Sequence, residues 1–367
     1  MKLAAVILAA GYSSRMNGFK PLMALGGVSL LSRCAGLFQT AGIDRILVVS
    51  GHRHEEVEAE AKKLAIGCIH NPHYDLGMFS SVCAAIPSLA GIDGFFVLPV
   101  DIPLIRPATI TALADAFNGY AVVYPCFEGL RGHPPLLPAA LLPLLKKHDG
   151  QGGLQSFLQN REFLEVAVWD RGILLDADTP ADFHALAERL DRMAIGEPAE
   201  ALALAKLALP ERGMAHGLAV ASVAVKLGRA LNRHGLKLDP DLLSNAALLH
   251  DIGKGHRQHE TWGGELLGSL GLTGLAAVVA VHRDVKPPSA WQDLSEKEIV
   301  CLADKLVRGA RRLPVAERFA EKLALFAADQ EACRAIRRRL DNALALQTLV
   351  EGVVGQRIDD ILAEART

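Results

Sequence analysis

Hydrophobic positions follow two regimes along the chain. Up to about residue 190, short apolar runs alternate with amphipathic stretches, the βαβ rhythm of a mostly parallel sheet with helices on both faces. Residues 3–8, 46–50, 95–100, 121–125 and 163–169 read as strands, and 173–175 as a last strand that finishes the sheet. Residues 55–64 and 180–193 read as helices. After Gly196-Glu197-Pro198 the strand pattern stops, and from Ala199 onward only helical periodicity remains. The pattern predicts an α/β domain over residues 1–195 and an all-α domain over residues 196–367.

The first predicted strand runs into Leu8-Ala9-Ala10-Gly11-Tyr12-Ser13-Ser14-Arg15-Met16-Asn17-Gly18-Phe19-Lys20. Open α/β sheets bind phosphates at the carboxyl ends of their strands. Ala9, Ala10 and Gly11 let a ligand approach the backbone, whose successive N–H groups form an anion-binding concavity. Ser13 and Ser14 add hydroxyls, and Arg15 and Lys20 add permanent cations. Together these parts suit a triphosphate. The stretch is neither a Walker loop nor a dinucleotide fingerprint, and a glycine turn with two solvated cations is the alternative reading. Asp101 ends the strand over 95–100 and faces the same crevice, where Mg²⁺ on a triphosphate needs a carboxylate. A helix cap before Pro103 would use the same residue.

In the helical half, His216 shares a helix face with Val220, Val223 and Leu227. His250-Asp251 ends the apolar run Ala246-Ala247-Leu248-Leu249. His282 adjoins Val278 and Val279, and Asp304 shares a face with Val300 and Val307. Several inward polar groups in one small domain are costly unless they share a partner, and a metal ion is the economical one. His234 and His256 fit no such pattern and read as surface residues.

Composition narrows the classes. With 367 residues, half of them hydrophobic, the chain can bury two cores. A net charge of −2 provides no field for nonspecific nucleic-acid binding. The dense basic run at Arg334, Arg337, Arg338 and Arg339 reads as a solvated helix face. Six scattered cysteines without Cys-x-x-Cys spacing fit a reducing cytoplasm. The apolar N-terminus reads as a strand rather than a signal peptide, and no uninterrupted apolar run of about 18 residues predicts a membrane span.

The loop over residues 8–20 resembles the Leu-Ala-Ala-Gly-x-x-x-Arg-Met-Gly-x-x-Lys signature of nucleotidyltransferases, the molybdenum-cofactor cytidylyltransferases above all. Asn17 stands where that family has Gly. Val100-Asp101-Ile102-Pro103 is similar to the family's Asp-Met-Pro metal motif, and Asp178-Thr179-Pro180-Ala181-Asp182 to its Asp-Thr-Pro-x-Asp motif. The segment with Gly77, Ser80 and Ser81 resembles its Gly-Met-x-x-Ser stretch near base and phosphates. Arg131-Gly132-His133-Pro134 resembles its acceptor-facing stretch, and Gly150-Gln151-Gly152-Gly153 an acceptor-side loop. The resemblance implies a Rossmann-like nucleotidyltransferase domain. Leu8, Ala9, Ala10, Gly11, Ser13, Arg15, Lys20, Gly77, Ser80, Ser81 and Asp101 would hold the nucleotide. Asp101 and Asp178 would hold Mg²⁺, and Arg131, Gly132 and His133 would meet the acceptor. The substrates implied are CTP and a small phosphorylated acceptor such as molybdopterin, with Arg15 and Lys20 stabilising the pyrophosphate that leaves.

The order His216, His250-Asp251, Asp304 resembles the HD-domain phosphohydrolases, and His259 and His282 match the further histidines of their dinuclear subgroup. That resemblance implies two transition-metal ions, iron or manganese ahead of zinc, on His216, His250, Asp251, His259, His282 and Asp304. Lys254, a turn after His250, would contact the phosphate. It covers residues 200–310, and the remainder reads as a helical addition. Two alternatives stand beside this bifunctional cytoplasmic enzyme. One gives the transferase a sugar- or alcohol-phosphate acceptor. The other makes the HD half a ligand-sensing or dimerising module within a homodimer.

Overall fold

The computed structural model describes residues 1–16 and 18–363, so Asn17, the departure from the family signature, lies outside the described residues. The chain divides into two compact units, Met1–Asp191 and Arg192 onward.

The first unit is built on a mixed sheet of β1 (Leu3–Ala9), β2 (Arg45–Ser50), β3 (Gly67–His70), β4 (Gly94–Pro99), β5 (Val122–Phe127), β6 (Leu130–Arg131), β7 (Leu136–Pro138) and β8 (Phe163–Ala167). The spatial order is β8-β5-β7-β4-β1-β2-β3, with β6 paired to β5. β7 lies antiparallel to β4 and β5, and the other pairs along this order are parallel. The helices are α1 (Leu30–Thr40), α2 (His54–Lys63), α3 (Met78–Ala85), α4 (Pro107–Ala116), α5 (Leu142–Lys147), α6 (Gly153–Leu158) and α7 (Pro180–Arg192).

β1 is the central strand, and Ala4 through Ile7 are fully buried. Its alternate residues serve two cores, which is why it reads as unbroken apolar sequence. Ala4, Val6 and Leu8 pack with Phe79 and Val82 of α3 and Phe157 of α6. On the opposite face, Phe38 of α1 meets Phe96 of β4 with ring centroids 5.5 Å apart. Leu8 is in register with Val49 and Pro99, so β1, β2 and β4 end at one level.

The structure corrects one strand. Residues 171–174 form a 3-10 turn rather than the final strand expected over 173–175. The Asp170 carboxylate accepts the Gly172 N–H at 2.9 Å, and a β-carbon on Gly172 would lie 2.2 Å from the Leu104 carbonyl oxygen. This local cap and close approach hold the chain off the sheet. The short strands β3, β6 and β7 were not legible, because two to four residues carry too little alternation.

The second unit comprises α8 (Pro198–Ala208), α9 (Glu211–Arg233), α10 (Pro240–Leu249), α11 (His259–Ser269), α12 (Thr273–Val279), α13 (Glu296–Lys305), α14 (Val315–Leu325), α15 (Gln330–Val354) and α16 (Ile358–Ala363). A small hairpin, Val307–Arg308 with Arg311–Arg312, joins α13 to α14 where only helix was expected. α9 is the central helix, packed against α10, α13, α15 and α16. It is long and apolar enough to cross a membrane, and its Val220, Val223, Ala224 and Leu227 form the core of this unit.

Two glycines set the helix spacing here. A β-carbon on Gly217 would lie 2.3 Å from the Leu248 carbonyl oxygen of α10. On Gly253 it would lie 2.1 Å from the His259 carbonyl oxygen at the start of α11. Gly217→Ala is therefore expected to force α9 and α10 apart at a cost of about 1–3 kcal/mol. Denaturant unfolding followed through the helical unit checks this, and an unchanged midpoint would show that the contact relaxes freely.

Candidate functional sites

The first site lies at the carboxyl ends of β1 and β4. Past Ala9 the chain turns back through Ser13, whose φ of 58° is left-handed. The Ser13 hydroxyl accepts the Lys20 backbone N–H at 3.0 Å, which closes the loop on itself. Two backbone bonds anchor its neighbours: Val100 N–H to the Leu8 carbonyl at 3.0 Å, and Ala177 N–H to the Asp101 carbonyl at 2.8 Å. The second fixes the segment bearing Asp176 and Asp178 beside Asp101, although 77 positions separate Asp101 from Asp178.

Lys20 ties the pair together. Its Nζ donates to Asp101 Oδ2 at 3.0 Å and to Asp178 Oδ1 at 2.7 Å, while Arg15 Nη2 lies 2.9 Å from Asp178 Oδ2. The Lys20 hydrogen bond and the Arg15 charge hold the Asp178 carboxyl below its ordinary range despite some burial. Burial works against the Lys20 charge, yet the two carboxylates outweigh it and raise its pKa. Asp176, which the motif reading passed over, is pushed upward by burial and by the nearby Asp178 and Asp101 charges.

Arg15, Lys20 and Asp101 line a cavity of about 290 Å³ together with Leu8, Ala9, Ala10, Gly11, Ser13, Gly77 and Ser81. Ser80 is placed otherwise. Its hydroxyl donates to the His73 and Gly77 carbonyls and accepts from Asn71, so it braces the start of α3 instead of lining the cavity. Tyr74 and Met78 also line the cavity; Met78 is the Met of the Gly-Met-x-x-Ser stretch, and Tyr74 carried no signal as an isolated side chain.

Arg131, Gly132 and His133 line a second cavity of about 550 Å³ with Tyr124, Gly152 and Gln155, so the Gly150–Gly153 loop borders the same space. The Arg131 guanidinium lies 3.9 Å from the Phe163 ring centroid, and its Nε is 2.5 Å from Glu165. His133 is largely buried, its Nδ1 has no hydrogen-bond partner, and burial lowers its pKa. It stands as a neutral ring with polar capacity left for a ligand.

The second site lies in the helical unit. Nδ1 of His216, His250 and His282 sits 2.9, 2.7 and 2.7 Å from the backbone carbonyls of Gly309, Ala247 and Val279. A carbonyl only accepts, so each Nδ1 carries a hydrogen and each neutral ring presents an Nε2 lone pair. Burial holds His282 neutral, its pKa pushed down to about 4. His250 Nε2 is buried without a hydrogen-bond partner, 3.6 Å from Asp304 and 3.8 Å from Asp251. Lone pairs turned toward carboxylates call for a cation between them. Asp304 and Asp251 raise the His250 pKa against the opposing effect of burial.

The ligand atoms fall into two sets, His216–His250–Asp251 and Asp251–His259–His282, each within 4.8 Å of one another. Asp251 belongs to both. Backbone carbonyls orient the imidazoles from behind, as supporting partners do at metal centres. Asp304 lies 3.2 Å from His216 Nε2 and is held well below its ordinary range, against burial, by Lys305, the two histidines and Arg318. Lys254 Nζ lies 2.6 Å from Asp251 Oδ2. His234 and His256 are exposed, the latter stacked on Trp262.

Sequence reasoning missed Lys305, Arg318, Lys322 and Arg339, which line the same cavity of about 300 Å³. One signal was available: Arg318 and Lys322 stand four apart on α14 and share a helix face. The basic run is corrected in part. Arg334, Arg337 and Arg338 are exposed, the last bonding Asp284, whereas Arg339 turns into the cavity.

Comparison with known proteins identifies a family for each half of the chain. Residues 5–166 match the MobA-like NTP transferase domain, and residues 213–309 match the HD domain. The molybdenum cofactor cytidylyltransferase of Escherichia coli (strain K12) is 30% identical over 186 residues, covering 50% of this chain and 95% of that protein. The bifunctional protein GlmU of Geotalea uraniireducens (strain Rf4) is 36% identical over 114 residues, covering 30% of this chain and 25% of that protein. A solved nucleotidyl transferase from Methanothermobacter thermautotroptrophicus is similar with a TM-score of 0.47 at 25% identity, covering 52% of this chain and 98% of that one. With a phosphate-loop sheet in its first half and an HD domain in its second, the chain belongs to the MobA-like NTP transferase family.

Proposed function

We propose that the chain is a bifunctional cytoplasmic enzyme whose first half transfers CMP from CTP to a small phosphorylated acceptor of the molybdopterin type. The convergence of Asp101, Lys20 and Arg15 on one cavity, with Asp178 bonded to both cations, carries this reading. Carboxylates from a strand end and a distant loop that gather on one ammonium can also gather on Mg²⁺, so Asp101 and Asp178 fit as its ligands. Bound there, Mg²⁺ would supply charge neutralisation at the phosphates. In the reaction an acceptor oxygen attacks the α-phosphorus, a P–O bond forms, the α–β bridging P–O bond breaks, and pyrophosphate leaves. Arg15 and Lys20 exchange carboxylates for triphosphate oxygens and hold the negative charge of the leaving group. Arg131 and His133 meet the acceptor in the adjoining space. The name of the Escherichia coli relative and the Ala9-Ala10-Gly11 loop support cytidine as the base. Six free thiols support a reducing compartment.

We further propose that the HD half is a metal-dependent phosphohydrolase. The two ligand sets that share Asp251 support two ions. A nitrogen and oxygen donor set without thiolate favours iron or manganese. Such a pair would supply an activated hydroxide to a phosphorus atom.

Two outcomes check these readings. Pyrophosphate release is expected with CTP and not GTP, and Asp101→Asn is expected to slow it about a thousandfold, several kcal/mol of transition-state stabilisation. Release with GTP alone would overturn the base assignment, and near wild-type turnover of the variant would make Asp101 a structural cap. Purified protein is expected to carry two metal ions and to hydrolyse phosphoesters or phosphoanhydrides, both diminished by Asp251→Asn. A folded chain that binds no Mn²⁺ or Fe²⁺ and cleaves nothing would leave the HD half a sensing or dimerising module.

A further inference from the structure

The HD family match ends at residue 309, yet the wall of the metal-ligand cavity continues into α14 and α15. Arg318, Phe319 and Lys322 come from α14, and Ile336 and Arg339 from α15. The cavity is lined by six basic side chains, Lys254, Arg283, Lys305, Arg318, Lys322 and Arg339, against two carboxylates, Asp251 and Asp304. Bound cations would widen that imbalance, so the complement must be a compact polyanion.

The basic groups form two tiers. Lys254 pairs with Asp251 at 2.6 Å, Lys305 with Asp304 at 2.7 Å, and Arg318 Nη2 with Asp304 at 3.0 Å. These stand at the ligand cluster itself. The outer tier touches neither carboxylate. Lys322 makes no ion pair among the described residues, its ammonium lying 5.9 Å from the Phe319 ring centroid. Arg339 Nε is buried without a hydrogen bond, 3.8 Å from Asp284, and Arg318 Nη1 is likewise buried and unpartnered. Burial is costly for Arg318 Nη1 and Arg339 Nε unless an anion joins them, and Lys322 stands beside them with its charge unpaired.

A single phosphate offers three acceptor oxygens. The ligand cluster with Lys254 and Lys305 already uses them, which leaves Arg318 Nη1, Lys322 and Arg339 for a second phosphate. At about 300 Å³ the cavity lies at the small end of ligand sites.

We infer that α14 and α15 form an anion-recognition wall that selects compounds with two linked phosphates, Lys322 and Arg339 holding the phosphate that is not attacked. The inference rests on the hydrolase reading for which phosphate is attacked, while the recognition itself is a binding property. The diphosphate could be inorganic pyrophosphate or the diphosphate of a nucleotide.

Calorimetric titration of the Mn²⁺-loaded chain of residues 1–367, freed of excess metal, tests it. A Lys20→Ala background removes the phosphate-loop lysine of the first unit. Pyrophosphate is expected to bind at least about tenfold more tightly than orthophosphate, since charge-assisted hydrogen bonds are added. Lys322→Ala and Arg339→Ala should each weaken pyrophosphate about tenfold. Both should leave manganese content and orthophosphate affinity within about twofold. Lys322 is exposed enough that its variant should fold even where Arg339→Ala does not. A parallel titration with CDP separates the two sources, the tighter ligand naming the natural one. Equal affinity for pyrophosphate and orthophosphate, or undiminished pyrophosphate binding by the variants, would overturn the inference. Tight pyrophosphate binding without any cleavage would sustain it and overturn the hydrolase reading. Phosphomonoester cleavage untouched in both variants, with pyrophosphate affinity also unchanged, would do the reverse.

Discussion

Carboxylates and imidazole lone pairs can be gathered in a partly buried space only if positive charge stands among them. This electrostatic constraint organises both units. In the first, Lys20 stands between Asp101 and Asp178, and Arg15 covers the outer oxygen of Asp178. In the second, Asp251 and Asp304 lie among four histidines, and Lys254, Lys305 and Arg318 supply permanent charge around them. Without these cations each cluster would carry like charges at short range, a cost that the surrounding packing could not absorb. A site held together by exchangeable cations is also suited to take up metal ions and phosphates, because the incoming groups replace contacts already made.

Backbone geometry delivers the charges to their places. In the sheet, the common ending level of β1, β2 and β4 brings the loop after Ala9 and the turn at Asp101 to one edge. The Ala177-to-Asp101 backbone bond then imports Asp178 from far along the chain. In the helical unit, Gly217 and Gly253 permit close approaches that no side chain would allow. His216 and His250 thereby sit with ring centroids 5.1 Å apart, and His250 and His282 with centroids 5.0 Å apart. The carbonyls of Ala247 and Val279, three residues behind their histidines, fix which nitrogen faces inward.

Much of this was legible in the residues. The apolar runs of β1, β2 and β4 are long enough to declare themselves, and the loss of strand pattern after residue 196 separates the two architectures. His216, His250 and Asp304 stood out because polar groups on apolar helix faces need a shared partner. Residues whose role depends on the far side of a cavity gave no such sign. Arg339 looked like one more member of an exposed basic run until α15 was placed against α14, and nothing in the sequence singled out Lys322. Ser80 shows the reverse: the resemblance grouped it with the nucleotide, while its hydroxyl bonds the His73 and Gly77 carbonyls.

The sequence by itself determined the two kinds of layer, the phosphate-loop chemistry at residues 8–20 and the identities of the inward histidines and aspartates, because periodicity and local charge are written in neighbouring residues. Tertiary structure decided which of them meet. The pairing of Lys20 with both Asp101 and Asp178, the sharing of Asp251 between two ligand sets, and the basic wall from α14 and α15 all join residues far apart in the chain. Their distances are set by strand register and helix approach, and these follow from the packing of the whole unit rather than from any local pattern.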